Sequence, residues 1–217
     1  MSTQSLYNQW SSQYDTNKNR TRDLEAVAVR RMLADVAFQN VLEIGAGTGK
    51  NTVWYASRAQ RVLAVDLSEG MLALAKEKIE GLGNSGCVTD FQQADVTQAW
   101  TFGEAKFDLV CFSLVLEHLA DLEAIFLKAA MALASGGHLY LGELHPGKQY
   151  LGTKARFEEG GEVQVLECHL HHVSDFWSAA KAAGLELVDV QEFFDEGDRN
   201  GVPRILGMVF RKLIGDS

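Results

Sequence analysis

Apolar positions along this chain alternate between two spacings. From Leu24 to Phe38 they recur at helical intervals with few breakers, which predicts a helix. Asn40 to Ile44 is a short apolar run that ends in glycines, the mark of a buried strand. Thr48 to Arg58 returns to helical spacing, and Arg61 to Val65 is a second buried run. Ser68 then stands at an N-cap position ahead of Met71, Leu72, Leu74, Ala75 and Ile79. Gly81, Gly83 and Gly86 end that helix. Val88 to Ala94, Phe107 to Ser113 and His138 to Leu144 read as strands. Asp121 to Ala134 reads as a helix, and Ser135-Gly136-Gly137 as a turn. Ser174 caps a helix that runs to Ala183, with Gly184 at its end. Leu185 to Phe193 and Ile205 to Arg211 are the last two strands, joined by a loop.

Strands that alternate with helices predict a mostly parallel sheet covered on both faces. The connection between the final strands is too short for a parallel crossover, so that pair is expected to be antiparallel. The fold class is therefore α/β: a doubly wound, Rossmann-like sheet of seven strands, mostly parallel, with an antiparallel last strand. No repeat or linker divides the chain, which is expected to form one domain over residues 1–217. N-terminal cap helices are expected over about 1–38. The segment of about 145–173 breaks the strand–helix rhythm and reads as a lid or substrate insertion.

Composition narrows the partners. The 217 residues suit a single domain, and 47% hydrophobic with 23% charged residues is a globular composition. A net charge of −9 leaves no basic footprint, so no nucleic acid partner is expected. Met1 to Asp15 has no apolar core flanked by basic residues, and no apolar run has the length of a membrane span. A cytoplasmic protein is expected, with no membrane partner, as monomer or homodimer. Cys87, Cys111 and Cys168 are widely spaced and form no CxxC pair, which argues against disulfides and zinc knuckles. Cys111 reads as a core residue.

The chemistry concentrates in Val41-Leu42-Glu43-Ile44-Gly45-Ala46-Gly47-Thr48-Gly49, a strand, a glycine loop and a helix start. Such loops bind ligands beyond the carboxyl ends of strands, where the strand order reverses. A mononucleotide P-loop needs GxxxxGK[ST], but Ile44 replaces its first glycine and Asn51 its hydroxyl. A dinucleotide loop needs GxGxxG, and Lys50 stands in the sixth place. Glu43, two residues before Gly45, sits poorly beside a pyrophosphate. It suits a ligand with positive charge, such as an ammonium or a sulfonium.

The stretches VLEIGAGTG (41–49), VLAVDLSEGML (62–72), QQADV (92–96), FDLVCFSLVLEHLAD (107–121) and LASGGHLYL (133–141) occur in order. In this the chain resembles the class I S-adenosylmethionine-dependent methyltransferases over nearly its whole length. The resemblance implies S-adenosyl-L-methionine as cofactor and S-adenosyl-L-homocysteine as product. Gly45, Ala46 and Gly47 would line the methionine and ribose side, with Glu43 supporting that end. Asp66 would accept both ribose hydroxyls, its alternative being a helix cap. Leu67 and Met71 would pack on the adenine, although Met71 also fits a plain core position. Asp95 would meet the adenine amino group and the Val96 amide a ring nitrogen; a surface turn is the alternative. Ser113 would contact the methyl-transfer centre through its carbonyl. In the segment of Trp10, Tyr14 and Asp15, Tyr14 would either reach the cofactor carboxylate or anchor the first helix.

Methyl transfer is an in-line displacement at a sulfonium, so positioning carries much of it. A hydroxyl or ammonium acceptor must also lose a proton, for which histidine is suited near neutral pH. His145, His118, His169 and His171 are the candidate catalytic residues. His145 ranks first as the base, His118 orienting the loop after the fourth strand. The alternatives for His145, His169 and His171 are packing roles or a metal triad; no metal is required or expected. Lys148, Lys154 and Arg156 are candidates for an acceptor carboxylate or phosphate, or a solvated face. Phe112, Phe157 and Trp177 are candidates for an apolar wall. The expected function is methylation of an oxygen or nitrogen on a small-molecule acceptor. A non-catalytic cofactor-binding module, or a carrier-bound or protein acceptor, is the alternative. The glycine spacing, Glu43 and the antiparallel ending count against a nicotinamide oxidoreductase.

Overall fold

The structure, a computed structural model, describes residues 3–14, 19–83, 86–102, 106–153, 156–159, 162–166 and 168–214. Two helices, α1 (Thr3–Tyr14) and α2 (Arg20–Met32), precede the sheet. The first half follows as β1 (Asn40–Ile44), α3 (Lys50–Ala56), β2 (Arg61–Asp66), α4 (Glu69–Gly81) and β3 (Val88–Gln93). The second half is β4 (Phe107–Ser113), α5 (Leu122–Ala132) and β5 (Leu133–Leu144). The insertion contributes α6 (Pro146–Tyr150) and a hairpin of β6 (Arg156–Glu159) and β7 (Glu162–Val165). The chain closes with α7 (Val173–Ala182), β8 (Leu185–Phe193) and β9 (Ile205–Lys212).

The main sheet has seven strands in the order β3-β2-β1-β4-β5-β9-β8. All run parallel except β9, which inserts antiparallel between β5 and β8. This is the expected seven-stranded, mostly parallel sheet with an antiparallel last strand. Successive side chains of the central strands feed opposite faces, as the pleat requires. Leu42, Ile44, Val110 and Phe112 pack with Ile125 and Phe126 of α5 and Phe176 of α7. Val41, Leu109, Cys111 and Tyr140 pack with Ala28, Val29 and Met32 of α2 and Tyr55 of α3. Cys111 is a fully buried core residue.

Several boundaries differ from the periodicity. The helix expected over 24–38 begins at Arg20, because the Asn19 side chain accepts from Thr21 N and Arg22 N at 3.0 and 3.1 Å. It stops at Met32, where the Arg58 guanidinium takes the carbonyls of Leu33 and Ala34. The Ser135-Gly136-Gly137 turn lies within β5. Leu133 already pairs with Phe107, and the register shifts before His138 meets Leu109. A Cβ at Gly137 would lie 3.0 Å from Ala134 O and 3.1 Å from Asp108 O, tighter than an ordinary contact, so glycine eases the close passage of the strands. Ser68 does cap α4, its Oγ accepting from Met71 N at 3.1 Å. Among the described residues no helix is long and apolar enough to cross a membrane.

Asp108 ties the two central strands at their N-terminal ends. Its Oδ2 accepts from Gln39 N and Asn40 N, each at 2.9 Å. Asp108→Ala leaves two backbone donors at the sheet end without that partner. It should lower the unfolding free energy by about 1 kcal/mol, read as a lower urea midpoint; an unchanged midpoint contradicts this role.

Candidate active site

The strand order reverses beside β1: β2 and β3 lie on one side, β4 and β5 on the other. The loops that leave β1 and β4 therefore diverge and open a cleft at their carboxyl ends. Gly45 N and Ala46 N turn back onto Val65 O at 2.8 and 3.0 Å. Gly45 has φ +73°, and a Cβ there would lie 2.8 Å from Val115 on the β4 loop. Gly47 differs: a Cβ there meets nothing within 4 Å, so its backbone faces open space.

A cavity of about 270 Å³ fills the cleft. Its walls include Tyr14, Gly45, Gly47, Asp66, Leu67, Met71, Asp95, Val96 and Ser113, together with His118 and Tyr7. Asp66 Oδ2 accepts from Gly47 N and its Oδ1 from Ser68 N, both at 2.8 Å. With the Leu67 amide also contributing, these bonds do not exhaust the lone pairs of the carboxylate, and acceptor capacity remains for a ligand. Burial raises the Asp66 carboxyl against these bonds, which lower it. Asp95 is exposed at the rim. Thr97 binds its Oδ1 through the hydroxyl (2.7 Å) and the amide (2.9 Å), and the hydroxyl bond leads in holding this carboxyl below its usual range. Met71 is buried.

Glu43 and Ala46 line a smaller adjoining recess, shared with Arg22, Glu25, Lys50 and Asn51. This end sets the cations Arg22 and Lys50 beside buried carboxyls. Arg22 lies over the Tyr14 ring at 4.0 Å. Glu43 accepts from Thr52 Oγ1 at 2.5 Å, and burial pushes its carboxyl up to about 8. Glu25 takes Asn51 Nδ2 and Ser113 Oγ, each at 2.8 Å, and Tyr140 OH at 3.2 Å. The Ser113 hydroxyl is thus bonded to Glu25. Cations beside buried carboxyls at one end, the Asp66 carboxyl in the cleft and an apolar floor at Met71 fit an amino acid joined to a nucleoside.

A second buried acid shapes the β4 loop. Leu114 adopts φ +55°. The residues after it, Leu116 to His118, form a 3₁₀ turn. Glu143 Oε1 on β5 accepts from Val115 N and Leu116 N, both at 3.1 Å, and so holds the loop in its turn. Its Oε2 is buried without a hydrogen-bond partner among the described residues. Burial pushes this carboxyl up to about 8. The turn delivers His118, whose Nε2 lies 2.8 Å from Tyr7 OH. Burial keeps the Tyr7 phenol protonated, well above its ordinary range.

The other histidines lie elsewhere. His145 does not border the cavity. Its Nδ1 accepts from Gly147 N at 3.0 Å and caps α6, which leaves the ring proton on Nε2, 3.1 Å from Glu192. His171 is buried, with Nε2 donating to Leu119 O at 2.8 Å and the ring edge on Phe176. His169 is half-buried beside it, 6.3 Å between ring centroids, and its amide donates to Glu117 O. His145 therefore stands apart from His169 and His171: its ring caps α6, and that of His171 is held by Leu119 O and Phe176. Lys148 faces Asp195 at 3.4 Å, Phe112 is in the core, and Trp177 is about half exposed on α7. Asp15 and Lys154, and the side chains of Arg156 and Phe157, lie outside the described residues.

Tyr7 is a contributor that the sequence reading did not single out for the site. Tyr7, Trp10 and Tyr14 recur three and four residues apart, which puts them on one helix face. That aromatic stripe was the available signal.

Residues 42–141 match a family model described as a methyltransferase domain. A ubiquinone biosynthesis O-methyltransferase of Xanthomonas euvesicatoria pv. vesicatoria is 31% identical over 188 residues, 82% of this chain and 74% of that protein. An uncharacterized methyltransferase of Emericella nidulans is 25% identical over 84% of this chain and 75% of its own. Among solved structures, the DhpI–SAH complex superposes with a TM-score of 0.74 at 25% identity, over 96% of this chain and 94% of that one.

A carboxyl raised to about 8 on folding is neutral in the folded chain and ionised in the unfolded chain between about 4.5 and 8. The unfolded state binds fewer protons there, so this group's contribution to stability falls as pH rises through that window. Glu143→Gln removes the titration and keeps an oxygen for Val115 N and Leu116 N. Its melting temperature relative to wild type should rise steadily from pH 5 to pH 8; a constant difference contradicts the assignment.

Proposed function

The chain belongs to the S-adenosylmethionine-dependent methyltransferases, and on that premise we propose that it methylates an oxygen of a small-molecule acceptor. His118 is proposed to take the acceptor's proton. The observation that carries this reading is the His118–Tyr7 contact of 2.8 Å in the wall of the cofactor cavity. It replaces the expectation that His145 is the base, since that ring caps α6. Oxygen is favoured over nitrogen because the Xanthomonas relative is an O-methyltransferase.

The chain's own groups divide the work. Asp66 takes the ribose hydroxyls on its remaining lone pairs. Asp95 and the Val96 amide meet the adenine, with Leu67 and Met71 against the ring. Glu43 faces the ammonium through the recess, and Arg22 with Tyr14 holds the carboxylate. When bound, S-adenosylmethionine supplies a sulfonium methyl that leaves a neutral thioether behind. Tyr7 and Trp10 of α1 cover the acceptor side and keep water out. Once the acceptor hydroxyl takes the place of Tyr7 OH at His118 Nε2, that nitrogen would hold the acceptor proton and later return it to solvent. Such a base contributes about 10²- to 10⁴-fold.

Two variants separate binding from proton transfer. Asp66→Ala should weaken S-adenosylhomocysteine binding by roughly tenfold or more, the worth of one to two charged hydrogen bonds. Calorimetric affinity near wild type removes the ribose assignment. His118→Ala should lower kcat by about 10²-fold or more at unchanged S-adenosylhomocysteine affinity. Full turnover in that variant sinks the proton-acceptor role.

A further inference from the structure

Beside the acceptor cavity, three metal-ligating side chains from two distant segments converge. Glu117 and His118 sit on the 3₁₀ turn after β4, and Cys168 follows the β6–β7 hairpin of the insertion. Their ligand atoms, a carboxylate oxygen, an imidazole nitrogen and a sulfur, all lie within 4.8 Å of one another. The convergence is built by the fold. His169 N donates to Glu117 O at 2.7 Å, and His171 Nε2 to Leu119 O at 2.8 Å, which fastens the segment after Cys168 along the turn. Gln149 Nε2 of α6 donates to Glu117 Oε2 at 3.2 Å and fixes that carboxylate. An outer partner of this kind orients a ligand before the metal arrives. The Glu117 and His118 side chains are each over nine-tenths buried.

We infer that Glu117, His118 and Cys168 form a binding site for a divalent cation of the zinc type, and that its occupation withdraws His118 from proton transfer. A mixed N, O and S donor set selects zinc or cobalt over magnesium or calcium, which take oxygen ligands. Ligand atoms around tetrahedral zinc lie about 3.4 to 3.7 Å apart for bonds of about 2.0 to 2.3 Å. The present spread therefore needs to contract by about an ångström, within reach of side-chain rotation. Three protein ligands leave a fourth position toward the cavity. His118 Nε2 lies 4.0 Å from Glu117 Oε1 and 2.8 Å from Tyr7 OH, so a metal held through that nitrogen competes with the phenol for one lone pair. Binding exchanges the thiol proton of Cys168 for the metal and releases that proton to solvent. Metal binding is independent of the reaction assigned above, whereas the consequence for turnover rests on His118 as the proton acceptor.

The test uses the full-length protein, freed of metal with a chelator, and two probes. Co²⁺ should produce thiolate-to-cobalt charge-transfer absorption, and Zn²⁺ should bind with one site by calorimetry. Cys168→Ser should lose that absorption and at least roughly tenfold in Zn²⁺ affinity, while turning over acceptor without metal like wild type. Glu117→Gln, which keeps the thiol, should retain the absorption but bind more weakly. Zn²⁺ at saturation should halt acceptor methylation in wild type and spare Cys168→Ser. No charge-transfer absorption in wild type, or wild-type Zn²⁺ affinity in Cys168→Ser, overturns the site. If the cobalt signal behaves as expected but Zn²⁺ leaves wild-type turnover intact, the inferred withdrawal of His118 falls.

Discussion

The site depends on a close approach between two loops that the sheet forces apart. At Gly45 the backbone comes so near Val115 that a methyl group there would lie 2.8 Å from its side chain. That contact sets the neck between the recess holding Glu43 and the cavity holding Asp66 and His118. Glycine is required both for the approach and for φ +73°. On the far side of the neck, Glu143 binds Val115 N and Leu116 N and so fixes the wall against which Gly45 packs. Cofactor loop and acceptor loop are thereby positioned by one contact.

Around this neck the chain places three buried acids, Glu25, Glu43 and Glu143, and pairs them mainly with neutral donors. Thr52, Asn51, Ser113, Tyr140 and backbone amides take their oxygens. Burial raises all three carboxyls, and Glu43 and Glu143, raised to about 8, stay protonated near neutral pH unless a cation arrives. Such acids cost stability at alkaline pH, yet they leave the cleft receptive to positive charge. An ion pair in the same place would be satisfied already and would have less to offer a cationic ligand.

Much of the fold was legible because it follows from period and from glycine. Strands buried on both faces read as apolar runs, and the short connection before β9 required an antiparallel neighbour. The ends of α2 were not legible, since they depend on the Asn19 cap and on Arg58 reaching across 25 positions to Leu33 O. The cofactor residues lie in contiguous motifs at strand ends, where local sequence and position in the sheet coincide; most of them meet in one cavity. The histidines were harder. His145, His169 and His171 look alike in sequence, but ring environment separates them: Gly147 N occupies His145, and Leu119 O and Phe176 occupy His171. His118 met its partner Tyr7 across 111 positions, a contact only tertiary structure creates.

The most direct test of the account is proton release on cofactor binding. Glu43, raised to about 8, is neutral at pH 7 in the ligand-free chain, and a cationic amino-acid end beside it should drive its ionisation. Titration with S-adenosylmethionine at pH 7, in buffers of different ionisation enthalpy, should show a proton released to the buffer that Glu43→Gln does not release. Tight binding with no buffer dependence would place the ammonium elsewhere and contradict the charge assignment of the cleft.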